Sequence, residues 1–229
     1  MNATGSAKKA VLFDMDGVLV LTDQLKAEAH SATVRKLGGD VPPGFYQLHM
    51  GNSHSRVRGA FIAEAGIECD LAEYTRLYHE IYSNLLDTCL QLAPGAAVLL
   101  ERLVDCGFVL AVVSSSKAWM MERVLVRTRL SDYFQARVCA EDVHRPKPAP
   151  DAYLLAMERL ATGRGSAVAV EDSGPGVEAA LAAGIPVLAV RTAWNRGHNF
   201  SRAATEIDSL EDAPGILEVI NRLVVPVSA

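Results

Sequence analysis

The sequence predicts an α/β fold, a doubly wound parallel sheet with an α-helical domain inserted near its start. Three observations predict it. From Gly95 onward, short apolar runs alternate with amphipathic helical stretches, the pattern of βαβ units and a parallel sheet. Between residues 20 and 91 the alternation stops, and the apolar spacing is helical throughout. Before that insert, Ala10 to Phe13 forms an apolar run, as expected of a strand covered on both faces.

The elements follow in order. After the first strand, Gly17 allows a sharp departure into the insert. Helices are expected over Asp23 to Leu37, Ser53 to Ala65 and Leu71 to Leu90, punctuated by Gly38-Gly39 and Val41-Pro42-Pro43-Gly44. The chain returns near Ala93-Pro94-Gly95, with hinges near Leu21 and Leu92. The core is therefore residues 1–19 and 92–229, and the insert residues 20–91. In the core, helices are expected over Ala96 to Val104, Lys117 to Arg127, Pro150 to Leu160, Pro175 to Ala183 and Leu210 to Leu223. Gly107 lies just past the first of these and Gly184 stops the alanine-rich fourth. Strands are expected over Phe108 to Val113, Ala136 to Ala140, Ala167 to Val170 and Pro186 to Val190. Right-handed crossovers put every carboxyl end on one edge of the sheet.

Composition narrows the function. At 229 residues, the chain suits one large domain or a core with an insert. The net charge of −5 and the lack of a dense Lys/Arg stripe argue against a nucleic-acid partner. Cys69, Cys89, Cys106 and Cys139 lie far apart with no Cys-x-x-Cys, so neither a zinc site nor a disulfide frame is expected. They read as buried thiols of a cytoplasmic protein. Met1 to Lys9 lacks the apolar region of a signal peptide, and no apolar run approaches the ~18 residues that would span a membrane. A soluble protein without a membrane partner is expected.

The chemistry gathers at strand ends. Val11 to Gly17 reads Val-Leu-Phe-Asp-Met-Asp-Gly, so Asp14 and Asp16 fall where ligands of open α/β sheets bind. Acids this close repel unless a cation lies between them or one keeps its proton, although a simple turn can also use them. Ser114-Ser115-Ser116-Lys117 follows the second strand, and His144-Arg145-Pro146-Lys147-Pro148 the third. Glu171-Asp172-Ser173-Gly174-Pro175-Gly176 follows the fourth. Singly, these could be helix caps or solvated turns. Together they bring acids, a hydroxyl, helix-start N–H groups and a lysine to one edge, which matches a metal-assisted phosphoryl site. Hard oxygen ligands suit Mg²⁺ and not zinc. The hydroxyl and helix start suit phosphate oxygens, and the lysine supplies a compact positive charge.

This ordered set resembles the haloacid dehalogenase superfamily, in the phosphatase and β-phosphoglucomutase-like branch whose helical C1-type cap follows the first strand. Asp14-Met15-Asp16-Gly17-Val18 looks like its first motif, Ser114 its second, Lys147 its third and Glu171 to Gly176 its fourth. The resemblance spans nearly the whole chain and implies a Rossmann-like core. It implies Asp14 as a nucleophile, ionised at its ordinary pKa, that forms an aspartyl-phosphate. Asp16 would be general acid and then base, with a raised pKa. Mg²⁺ would be held by the Asp14 carboxylate, the Asp16 backbone carbonyl and Asp172, with Glu171 binding directly or through water. Ser114, the Ser115 N–H and Lys147 would bind phosphate.

The cap would select the substrate. Thr22 matches a polar residue of the related sugar-phosphate mutases. Lys26 stands where they carry a histidine, Met50 where they carry a lysine and His54 where they carry an arginine. A methionine cannot hold a second phosphate as a lysine would. The resemblance therefore implies a phosphatase of a small phosphorylated metabolite, sugar phosphates among the candidates. A β-phosphoglucomutase-like mutase is the alternative, ahead of a catalytically silent relative. Dehalogenase chemistry needs neither Mg²⁺ nor an acid at position 16. Asn52, His54 and Arg56 are expected to read the substrate, unless Asn52 or Ser53 merely caps the next helix. His30, His79 and His144 are expected at the surface. Arg191 to His198 either rims the mouth of the site or forms a plain crossover loop.

Overall fold

Strand β1 (Ala10–Phe13) sits at the centre of a six-stranded sheet in the computed structural model, which describes residues 8–224. Its neighbours are β2 (Val109–Val113) and β4 (Ala167–Glu171), both parallel to it. Strands β3 (Ala136–Val138), β5 (Val187–Val190) and β6 (Thr205–Ile207) complete the order β3-β2-β1-β4-β5-β6, every pair parallel. The chain works outward from β1 to β3, then crosses back to β4 beside β1. That reversal leaves a crevice beyond the carboxyl ends of β1 and β4, where such sheets take their ligands.

Side-chain alternation along the buried strands builds two cores. Val11, Phe13, Leu110, Val112, Val168 and Val170 face one side. They meet α4 (Ala96–Asp105), α5 (Ala118–Thr128) and α8 (Ala213–Leu223) through residues such as Leu99, Val124 and Ile220. Ala10, Leu12, Ala111, Val113 and Ala169 face the other side. There small side chains admit α6 (Asp151–Leu160) and α7 (Gly174–Ala182).

Three helices lie between β1 and α4: α1 (Asp23–Lys36), α2 (His54–Ala65) and α3 (Leu71–Cys89). The outgoing and returning segments run side by side. Leu21 N–H donates to the Gln91 carbonyl at 3.0 Å and Ala93 N–H to that of Leu19 at 2.9 Å.

The structure departs from the sequence reading in five ways. Strand β6 has no apolar run to announce it; it is a half-exposed, three-residue edge strand. β3 stops at Val138, because Cys139 opens a turn in which the Asp142 carboxylate accepts from its N–H at 2.8 Å. His30 is buried and not at the surface: Nδ1 pairs with the Tyr74 hydroxyl at 2.8 Å, and Phe61 and Tyr78 flank the ring. Of the cysteines only Cys139 is buried; Cys89 at the end of α3 and Cys106 just past α4 are exposed. Half-buried His79 packs edge-on against Trp119, and His144 is exposed. Among the described residues no helix is long and apolar enough to cross a membrane.

Candidate active site

Asp14 continues the ladder one residue past β1, its N–H donating to the Val170 carbonyl at 2.9 Å. The chain then turns at Gly17, where φ is +83°. A Cβ there would lie 1.9 Å from Asp172 Oδ2, so the glycine permits both the turn and the close approach of that carboxylate. Asp172 follows Glu171, the last residue of β4. The first and fourth sequence clusters therefore meet at the crevice.

Lys147, on the loop before α6, joins them. Its buried ammonium donates to Asp14 Oδ1 at 2.6 Å, Glu171 Oε1 at 2.5 Å and the Val113 carbonyl at 3.0 Å. Those partners use all three of its donors. Burial works against its charge, but Asp14 and Glu171 outweigh burial and raise its pKa. Fully buried Glu171 also accepts from the Tyr153 hydroxyl at 2.7 Å and the Ser173 hydroxyl at 3.1 Å. Burial, opposed by Lys147 and reinforced by Glu171 and Asp16, pushes Asp14 up to about 7. The ordinary pKa expected for Asp14 therefore does not hold.

Asp172 is different. It is buried, Oδ2 has no partner among the described residues, and its pKa is raised well above the usual range by burial, then by Asp23, Asp14, Glu171 and Asp16. An uncompensated buried carboxylate costs on the order of several kcal/mol. Asp14, Glu171 and Asp172 each offer an oxygen within 4.8 Å of the others. This oxygen-only, crowded and incompletely paired set fits a hard divalent cation such as Mg²⁺.

Asp16 lies in a second network. Its carboxylate accepts from Thr22 Oγ1 at 2.5 Å, Ser114 Oγ at 3.0 Å and Ser116 Oγ at 2.7 Å, and pairs with Lys26 Nζ at 2.8 Å. Burial alone would raise its pKa; the charge and hydrogen bond of Lys26, with Thr22 and Ser116, outweigh burial and lower it. That corrects the raised value expected for a general acid. Lys26, which the family comparison set aside as a mismatch, is one helical turn from Thr22 and shares its face. Ser114 is turned toward Asp16, while half-buried Ser115 lines the cavity above Asp14.

That cavity is also lined by Asp16, Asp23, Lys26, Asn52, Lys147 and Asp172. Met50 is buried on its wall, and a Cβ at the next residue, Gly51, would lie 2.6 Å from Ser173 Cβ. The segment before α2 thus presses against the start of α7. His54 lines an adjoining cavity with Lys26, His30 and Tyr78. Arg56 lines neither cavity; it is exposed, with Asn52 Oδ1 3.4 Å from its guanidinium.

The loop after β5 borders the site. Trp194 meets Tyr46 edge-on, centroids 6.2 Å apart. Fully buried Asn195 donates from Nδ2 to the carbonyls of Asp172 at 2.8 Å and Val190 at 2.7 Å. Sequence reasoning placed Ser116 in the serine cluster and Asn195 in the loop after the fifth strand without giving either a role, and set Lys26 aside although its spacing from Thr22 puts the two on one helix face.

The switch-point crevice of this α/β fold thus carries the acid and lysine cluster. The chain belongs to the haloacid dehalogenase-like hydrolase family, whose model matches residues 11–190. It is 32% identical over 177 residues to a phosphorylated carbohydrates phosphatase from Thermotoga maritima, covering 77% of this chain and 82% of that protein. It is 28% identical over 216 residues to the bifunctional riboflavin kinase/FMN phosphatase of Arabidopsis thaliana; the match covers 93% of this chain but only 57% of that protein. The crystal structure of CbbY from Rhodobacter sphaeroides in complex with phosphate superposes with a TM-score of 0.80 at 26% identity, covering 90% of this chain and 96% of that one.

Proposed function

We propose that this hydrolase is a Mg²⁺-dependent phosphatase of small phosphorylated metabolites, working through an aspartyl-phosphate on Asp14. The observation that carries this reading is Asp172 Oδ2, buried beside Asp14 without a partner among the described residues, with Lys147 bridging Asp14 to Glu171. The relatives named as phosphatases support it. Residues 20–91 act as a cap over a core of residues 1–19 and 92–229.

Asp14, the Asp16 backbone carbonyl and Asp172 would hold the cation. Glu171, already engaged by Lys147, Tyr153 and Ser173, would bind it directly or through water. When bound, Mg²⁺ neutralises charge shared by the nucleophile and the phosphate. The Asp14 carboxylate attacks phosphorus as the bond to the leaving oxygen breaks. Lys147 offsets the charge that accumulates, and the Ser115 N–H orients a phosphate oxygen. Asp16, which takes up a proton from solvent once Lys26 moves off it and its pKa rises, gives that proton to the leaving oxygen. It later takes one from the water that opens the aspartyl-phosphate. Asn52 and His54 face the leaving group.

Phosphate release from a panel of phosphorylated metabolites, with Mg²⁺ and in chelator, tests the reading. Mg²⁺-dependent release, lost in Asp14→Asn and cut ~10²–10⁴-fold in Asp16→Ala, is expected. Isomerised sugar phosphate without free phosphate would make the chain a mutase. Inactivity on every substrate, including a simple aryl phosphate, would make it a silent relative.

A further inference from the structure

We infer that Asn195 is a positioning residue that aims Asp172 at the cation, an assignment that rests on the metal-dependent reading above. No hydrogen bond to the Asp172 carboxylate is found among the described residues, and Oδ2 is buried without a partner. Its direction is therefore set by its backbone and by the space around it. Two contacts fix that backbone. The Asp172 N–H points toward Glu171 Oε2 at 3.2 Å, a long contact with the preceding side chain. The Asp172 carbonyl accepts from Asn195 Nδ2 at 2.8 Å, the shorter of the two contacts.

Asn195 is itself fully committed. The same Nδ2 donates to the Val190 carbonyl at 2.7 Å, and Oδ1 accepts from the Thr192 N–H at 3.0 Å. The side chain, with no exposed surface, thus ties the end of β5 to the residue just past β4. Gly17 leaves no room for a Cβ beside Asp172 Oδ2. Asn195 holds the Asp172 backbone, and Gly17 leaves space for its carboxylate. Outer partners of this kind orient metal ligands, and losing one typically weakens metal binding ~10–100-fold. The preceding residue in the chain, Trp194, packs edge-on against Tyr46.

The test is Mg²⁺ binding measured by calorimetry on the full chain, without substrate. Asn195→Ala should weaken Mg²⁺ by ~10-fold or more. In an Asp172→Ala background the same change should add nothing, because Asn195 acts through Asp172. A role confined to the fold predicts a lower melting temperature in chelator with Mg²⁺ affinity unmoved in Asn195→Ala, and that result would overturn the assignment. Should the variant not fold, the wild type answers. The Asn195 side-chain amide resonance should shift along the Mg²⁺ titration with the same midpoint as the calorimetric curve. A stationary resonance overturns the assignment. Absence of Mg²⁺ binding by the wild type would instead overturn the metal-dependent reading itself.

Discussion

Lys26 Nζ lies 2.8 Å from Asp16 Oδ2, joining the first turn of α1 to the loop after β1. The pair ties an insert residue to a core carboxylate. It also decides that carboxylate's ionisation, since burial alone would raise the pKa of Asp16 and Lys26 is the largest influence that lowers it. Activity that needs Asp16 protonated is lost as pH rises through its pKa. Replacing Lys26 by methionine removes the charge and lets that pKa rise. The Asp16 carboxyl, followed by its carbon-13 resonance, should therefore titrate at higher pH in Lys26→Met and stay near the wild-type position in Lys26→Arg. A Lys26→Met titration superimposable on the wild type would mean that Lys26 does not set the ionisation of Asp16.

The contrast between Lys26 and Asp14 explains what the sequence made legible. Asp14, Asp16, Lys147, Glu171 and Asp172 stand just where a buried run stops or on a short loop, so each cluster could be placed from its neighbours alone. Fold class, sheet direction and the helical insert followed from the same local periodicities. Lys26 needed knowledge of which helix face meets Asp16, and Asn195 of which carbonyls lie above its loop. His30 has the same history: its partner Tyr74 is 44 positions away, and no helical pattern within α1 announces it. Strand β6 pairs with β5 through three residues of mixed polarity, which leave no run to detect.

Asp172 should be a stability liability that Mg²⁺ removes. Its carboxylate is buried, unpartnered on Oδ2 and surrounded by Asp23, Asp14, Glu171 and Asp16. At ~100 times its dissociation constant, Mg²⁺ adds ~2.7 kcal/mol, or roughly 5–11 °C for a chain of this size. Asp172→Asn should melt higher than the wild type in chelator, because a repelled charge is gone, and should gain little from Mg²⁺. Differential scanning calorimetry in both conditions reads the two effects. A variant that melts lower in chelator would show that the carboxylate is compensated by something else.

Acid should weaken the insert through its histidines. Burial first, then His79, Arg58, Lys117 and Lys26, push His54 down to about 3, and burial lowers buried His30 well below its ordinary value. For His54 the unfolded chain binds the proton near 6.5 and the folded one near 3. Between those values the unfolded state carries more protons, so stability rises with pH there. The contribution is complete above about pH 6.5 and is lost progressively as pH falls. Urea midpoints at pH 7.5 and pH 5 should differ, and the difference should shrink in His54→Gln. An unchanged difference would assign the acid sensitivity to other groups, His30 first.

Substrate choice should depend on Asn52 and not on Arg56. Metal and phosphate are accounted for by residues of the core, so the leaving group has to be read from the insert. Asn52 lines the cavity above Asp14 with Lys26, while Arg56 is exposed and lines neither that cavity nor its neighbour. A side chain that touches the leaving group contributes to transition-state binding, and removing one hydrogen bond there costs ~1.4 kcal/mol, roughly 10-fold in kcat/KM. Asn52→Ala should lose about that factor on the best substrate of the panel and little on a small aryl phosphate, whose leaving group offers Asn52 nothing to hold. Arg56→Ala should stay within the ~0.5 kcal/mol of ordinary surface changes on both. Equal losses on both substrates for Asn52→Ala would make that residue a support for the close approach of Gly51 to Ser173. Specificity would then have to come from His54 and the second cavity beyond Lys26.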